Sequence, residues 1–162
     1  ILHYHGATWS PEASGTTNLL AGVWGSSPSD VYAVGSGGII LHYDGGSWAP
    51  ETSGTPYDLT AVWGSSASDV FAVGAWGTIL HFDGNTWTAQ SSGLTNDLHA
   101  VWANSGSDVF AVGLGQGILH YDGVSWSPQD AGMIDGLGGV WGSSASNVFA
   151  VGPSGLILRY SP

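Results

Sequence analysis

The chain has 162 residues, of which 43% are hydrophobic and only 8% charged, with twelve carboxylates against one cation, Arg159, and a formal net charge of −11. That balance excludes a nucleic-acid backbone as partner, because phosphate contacts need clustered Lys and Arg, and it offers nothing to anionic lipid headgroups. Cysteine is absent and no apolar run approaches the roughly 18 residues of a membrane span, so disulfides and membrane insertion both leave the reading.

Ile1-Leu-His-Tyr4 opens the chain and returns at Ile40 and Ile118, as Ile-Leu-His-Phe at Ile79 and as Ile-Leu-Arg-Tyr at Ile157, each time 39 residues on. A fixed period of this size marks one supersecondary unit copied and stacked. A unit of about forty residues is too small to be stable alone. The first copy starts inside the unit, with Ile1–Tyr4 followed by Trp9. The copy from Asp58 to Asn96 shows the elements in order. Asp58-Leu-Thr-Ala-Val-Trp63 is a first strand, ended by the turn formers Gly64–Asp69. Val70-Phe-Ala-Val73 is a second, stopped by Gly74, and Thr78–Phe82 a third, stopped by Asp83-Gly84. Thr86–Gln90 is a fourth, and no stretch sustains a helical period.

Four short strands per 39 residues predict an all-β chain, a β-propeller of four-stranded antiparallel blades, about four per chain. The boundaries fall at 19–57, 58–96 and 97–135, with the last blade assembled from 136–162 and 1–18. Trp24, Trp63, Trp102 and Trp141 recur on the first strand, Tyr32, Phe71, Phe110 and Phe149 on the second, and Trp9, Trp48, Trp87 and Trp126 start the fourth. Aromatics this regular are expected between blades. The run Asp-Val-Phe-Ala-Val-Gly followed by Ile-Leu-His-Tyr-Asp-Gly-x-Ser-Trp resembles tectonin-type and kelch-type propeller repeats. Its Asp-Gly-x-Ser/Thr-Trp segment also resembles a shortened Asp-box of bacterial neuraminidases. The resemblance implies a lectin in the first case, a protein binder in the second and a sialidase in the third. The Arg cluster a sialidase needs cannot exist with one Arg.

The chain begins and ends on a third strand, so a ring closed by its own N-terminal strands keeps one strand too many, Ile1–Tyr4 or Ile157–Tyr160. An unpaired strand is an edge that sheets avoid. Three resolutions stand: a four-bladed ring, a homodimer forming a larger ring, or a piece of a longer array. Four blades is the sharpest curvature, which tilts the reading to self-association. Missing Met, scarce cations and many small polar residues point to a processed or excised chain, extracellular or cell-surface and bacterial-like.

Comparison among the copies separates uniform from variable turns. The turns after strands one and three are repeated, while the turn after strand two and the inter-blade connection differ in every copy. Variable loops on a rigid scaffold are where binding groups sit. Trp76 is the one Trp outside the repeat, and Tyr57, Leu114 and Met133 are further apolar groups on that face. Asp58, Asp97 and Asp135 offer acceptors near blade junctions, and His99 stands where other copies have Ala21, Thr60 and Gly138. The competing reading makes Trp76 a cover for a neighbouring blade. His3, His42, His81 and His120 lie one per blade, too far apart to converge on zinc, and are expected to be locked inside each blade by a turn Asp. No metal, cofactor or catalytic residue is assigned. The expected function is non-catalytic recognition or assembly, binding a protein partner or a second copy of the chain; the alternative is a carbohydrate-binding, lectin-like propeller.

Overall fold

The computed structural model describes residues 1–115, 117–130, 132 and 136–160. β1 (Leu2–Tyr4) and β2 (Trp9–Pro11) pair as a two-stranded sheet. β3 (Leu20–Ser27), β4 (Asp30–Gly35), β5 (Ile40–Tyr43) and β6 (Trp48–Glu51) form a four-stranded antiparallel meander. β7 (Leu59–Ser66), β8 (Asp69–Gly74), β9 (Ile79–Phe82) and β10 (Trp87–Gln90) repeat it, as do β11 (Leu98–Ser105), β12 (Asp108–Gly113), β13 (Ile118–Tyr121) and β14 (Trp126–Pro128). β15 (Gly139–Ser144), β16 (Asn147–Val151) and β17 (Ile157–Arg159) make a three-stranded sheet. These are the blades of a β-propeller, stacked as an arc whose first and last sheets share no strand pairing.

One local expectation is corrected. The sequence reading ends strand one at Trp63, whereas β7 runs on through Ser66 and only Ala67 and Ser68 turn. The pairing with β8 shifts register between Gly64 and Ser66, and the Ser65 hydroxyl donates to the Asp69 carboxylate. A bulge plus this side-chain bond keeps the turn formers inside the ladder.

The core lies between the sheets. Val70, Phe71, Ala72 and Val73 are all buried, because a strand covered on both faces shows a continuous apolar run and no alternation. Tyr32, Val34 and Ile40 of one blade pack with Leu59 and Val62 of the next; Phe71, Val73 and Ile79 pack with Leu98 and Val101. The strand-one indoles lie over small residues of the following blade. A Cβ on Gly64 would come within 2.6 Å of the Trp24 ring, and one on Gly142 within 2.5 Å of Trp102. Trp63, facing Ala103 instead, donates its indole N–H to that carbonyl at 3.2 Å. The strand-four indoles reach back: Trp48 Nε1 donates to Glu12 (3.0 Å), Trp87 to Glu51 (2.6 Å) and Trp126 to Gln90 (2.7 Å).

Each of the three four-stranded blades also holds an internal polar stack. His42, His81 and His120 donate from Nε2 to Asp30, Asp69 and Asp108 at 2.7, 2.7 and 2.8 Å. Their rings stack on Tyr32, Phe71 and Phe110 with centroids 4.5, 4.3 and 4.4 Å apart. The acceptor is the Asp after strand one. The Asp of each Asp-Gly turn instead takes two backbone N–H bonds from its own turn: Asp44 from Gly46 and Ser47, Asp83 from Asn85 and Thr86, Asp122 from Val124 and Ser125. Those bonds favour the ionised form and hold all three carboxyls below the ordinary range.

The second oxygen of Asp30 accepts from Ser26 and that of Asp69 from Ser65. Asn104 occupies the matching position of the third blade, and Asp108 Oδ2 is buried with no partner. Asn104→Ser is therefore expected to stabilise the fold by about 1 kcal/mol, read as a raised denaturant midpoint at constant slope. Acid should act on the Asp-Gly turns. Their contribution is complete above the unfolded Asp pKa of about 3.9 and is lost as pH falls through the lower folded values. Stability measured from pH 5 down to 2 should decline below about pH 4, and Asp83→Asn should flatten that decline.

Candidate functional site

The turns between strands two and three reverse the chain tightly through a residue in the left-handed region: Gly37 (φ 69°), Trp76 (φ 58°), Gly115 (φ 66°) and Ser154 (φ 58°). A side chain with a Cβ costs roughly 1–2 kcal/mol there. Two copies use Gly, one uses the small Ser, and one carries the largest side chain available. The Trp76 indole is 65% exposed. Tyr57, from the connection entering the same blade, is also exposed, and the two rings stand 6.5 Å apart with planes inclined at 42°. Two sequence-predicted residues thus meet on the variable face.

Asp58 and Asp97 have a structural task. Asp58 Oδ1 accepts from Gly37 N at 2.7 Å, and Asp97 Oδ1 from Trp76 N at 3.0 Å. Each carboxylate begins one blade and fastens the left-handed turn of the blade before it. An amide in such a turn has no strand partner, so a carboxylate from the adjoining blade satisfies it. From the connection entering a blade, Asn18 donates to the Ser36 carbonyl in the Gly37 turn at 3.0 Å, and Asn96 to the Leu114 carbonyl in the Gly115 turn at 3.3 Å. Asp97 therefore positions Trp76, which the sequence alone did not reveal.

His99 is a second stitch between blades, donating from Nδ1 to the Leu137 carbonyl at 3.0 Å. Thr60 does the same one blade earlier, its hydroxyl donating to Leu98 O at 2.7 Å. His99 and the exposed Leu114 line a shallow cavity of about 350 Å³ with Leu137 and Pro153, separate from the Tyr57–Trp76 pair. Met133 and Asp135, together with Ile134, lie outside the described residues.

Three histidines behave as the repeat implies, locked within their blades. The N-terminal unit departs from this. His3, His5 and Glu12 each bring a possible ligand atom within 4.8 Å of the others, with His3 Nδ1 2.7 Å from Glu12 Oε1. His5 replaces the turn Asp of the other copies, which is the signal in the sequence for this grouping. Glu12 sits below the ordinary carboxylate range because Trp48 and His3 both donate to it. These residues could hold a divalent ion, although Glu12 already has two donors.

The variable face presents an exposed pair of aromatic rings whose neighbouring carboxylates, Asp58 and Asp97, accept from backbone N–H groups. If Trp76 serves a ligand, Trp76→Gly should leave the fold at least as stable, gaining about 1 kcal/mol from relief of the left-handed strain. A loss of stability in chemical denaturation would make the indole a cover for its neighbours.

No family model matches the chain, and no curated protein matches it. Among solved structures it is similar to YCF48 from Cyanidioschyzon merolae, with a TM-score of 0.73 and 16% identity over 88% of this chain and 51% of that one. It is also similar to a structure of YCF48 bound to D1 peptide, with a TM-score of 0.67 and 20% identity over 91% of this chain and 52% of that one. The chain spans about half the length of these structures. At such identities the likeness establishes the propeller fold and nothing finer.

Proposed function

We propose that this chain is a non-catalytic recognition module that binds a protein segment on its variable face, with Trp76 and Tyr57 as the anchor. The observation that carries the reading is the exposed indole at a left-handed position, held by Asp97 in a neighbouring blade. Strain that persists with no packing in return belongs to binding sites, and buried aromatic anchors dominate protein interfaces. One of the similar structures is of YCF48 with a bound peptide, which supports a peptide as the class of partner. The charge of −11 favours segments without carboxylates.

Carbohydrate stacking on the same rings is the alternative. The turns differ from blade to blade, so it would give one sugar site and no repeated pocket.

Selection from a displayed random peptide library tests the leading reading. Selected peptides should lose at least tenfold in affinity for Trp76→Ala and for Tyr57→Ala, with unchanged thermal midpoints. An empty selection, or peptides indifferent to both variants, sinks it; retention on immobilised glycans lost in Trp76→Ala would transfer the site to sugars.

A further inference from the structure

We infer that His3, His5 and Glu12 form a metal site, supplying three ligands to a divalent ion of the zinc type. The site is separate from the Tyr57–Trp76 pair and does not depend on the role proposed for it. Possible ligand atoms of the three side chains all lie within 4.8 Å of one another. Two imidazoles and a carboxylate suit zinc, at about 2.0–2.2 Å from each ligand atom, and leave a fourth position open. Calcium and magnesium, which take oxygen ligands, are disfavoured by the same set.

The other copies show how the cluster arises. At the start of the turn after strand three they carry Asp44, Asp83 and Asp122, whose carboxylates are spent on amides of their own turn. His5 stands there in the first copy and keeps the backbone closure of the turn. Its N–H donates to Thr8 O at 3.1 Å, as that of Asp44 does to Ser47 O at 3.4 Å. The replacement brings a second imidazole to 4.2 Å from the His3 ring, centroid to centroid. Glu12, just past β2, completes the group. Its Oε2 accepts the Trp48 indole N–H at 3.0 Å, and its Oε1 lies 2.7 Å from His3 Nδ1. An outer hydrogen bond that orients a ligand is a regular part of metal sites, and here the next blade provides it. Placing an ion between Nδ1 and Oε1 requires them to part to roughly 3.3 Å, the spacing of tetrahedral ligands at such bond lengths.

The complete blades show that the liganding edge is a property of the repeat. In the blade of β3–β6, His42 gives Nε2 to Asp30 and turns Nδ1 towards Glu51 Oε1 at 3.7 Å. Its pair is open to solvent to a similar degree, 27% for each side chain against 38% and 22% for His3 and Glu12. That blade lacks a free third ligand, because Asp44 serves its own turn. The blades of β7–β10 and β11–β14 lack the acid as well, with Gln90 and Gln129 in its place. Only the first copy combines the strand-three His with both a turn His and a strand-four Glu.

Calorimetric titration of zinc chloride into the whole chain tests the site, in a buffer containing magnesium to fill weak carboxylate sites without competing for imidazole. One equivalent should bind per chain. Two variants remove ligands while keeping the contacts of the fold. His5→Asn supplies the turn with a side-chain acceptor, as Asp44 does, and Glu12→Gln keeps an acceptor for Trp48, as Gln90 does for Trp126 at 2.7 Å. Each should weaken zinc binding at least tenfold with its metal-free thermal midpoint unchanged, whereas Glu51→Gln should leave the affinity as it is. Histidine ring NMR of the unmodified chain gives an independent reading. The His3 and His5 signals should move with the first equivalent, and those of His42, His81 and His120 should stay. Absence of zinc uptake, uptake indifferent to both variants, or movement of the blade histidines in place of His3 and His5 overturns the site.

Discussion

A four-stranded sheet of this size has two apolar faces and no core of its own, and every regularity in the chain answers that constraint. Strand two is buried on both sides only because another blade lies on each. Stacking must then repeat at one spacing, and the chain meets it with a period that never slips from 39 residues. The large indole of strand one requires a small residue opposite, hence Gly64, Ala103 and Gly142. The indole of strand four carries an N–H that cannot be buried unpaired, hence Glu12, Glu51 and Gln90 on the preceding sheet. Apolar packing supplies most of the attraction; these polar contacts set the angle and register at which blades meet.

The same constraint explains the two classes of turn. Turns that only reverse the chain within a blade solve their hydrogen bonding locally, as Asp44, Asp83 and Asp122 do, and can be identical everywhere. The left-handed turns between strands two and three take a partner from the next blade instead, and for the turns of Gly37 and Trp76 the partners are Asp58 and Asp97. Once the backbone is fixed in this way, the side chain at the left-handed position is free to vary. Rigid backbone beneath a variable side chain is what a recognition surface requires.

Most of the architecture was legible in the sequence, because period, strand alternation and aromatic spacing all express blade stacking directly. What stayed hidden were contacts between residues in different copies. Asp58 and Asp97 read as free acceptors until the turn of the preceding blade was seen against them. His99 read as a site residue, and it replaces the Thr60 stitch. The histidines were expected to find a turn Asp, but two turn Asp residues are available per blade. Only the backbone geometry, with the Asp-Gly turn consuming its own carboxylate, decides for Asp30, Asp69 and Asp108. Strand one ran past its expected end since a bulge lets Gly and Ser remain in a ladder. Of the candidate face, Trp76 and Tyr57 do come together, and nothing in their spacing of 19 positions within the chain announced it.

The copies also serve as internal references for one another, and their departures fall into two kinds. In the last blade both members of the His–Asp pair change: Asn147 donates to Ser143 at 2.7 Å, and Arg159 lies 5.7 Å over the Phe149 ring where His would stack. Changing both leaves no buried carboxylate without a partner, the costly outcome of changing one. The third blade shows that outcome, where Asn104 stands alone and Asp108 keeps an unsatisfied oxygen. Trp76 is likewise a single departure, a strained and solvent-exposed ring without an answering change within its blade other than the equally exposed Tyr57. An unsatisfied oxygen inside a blade can be repaired only inside it. A ring projecting from the variable face can gain its contacts only from outside, which is what the anchoring role proposed for Trp76 would supply.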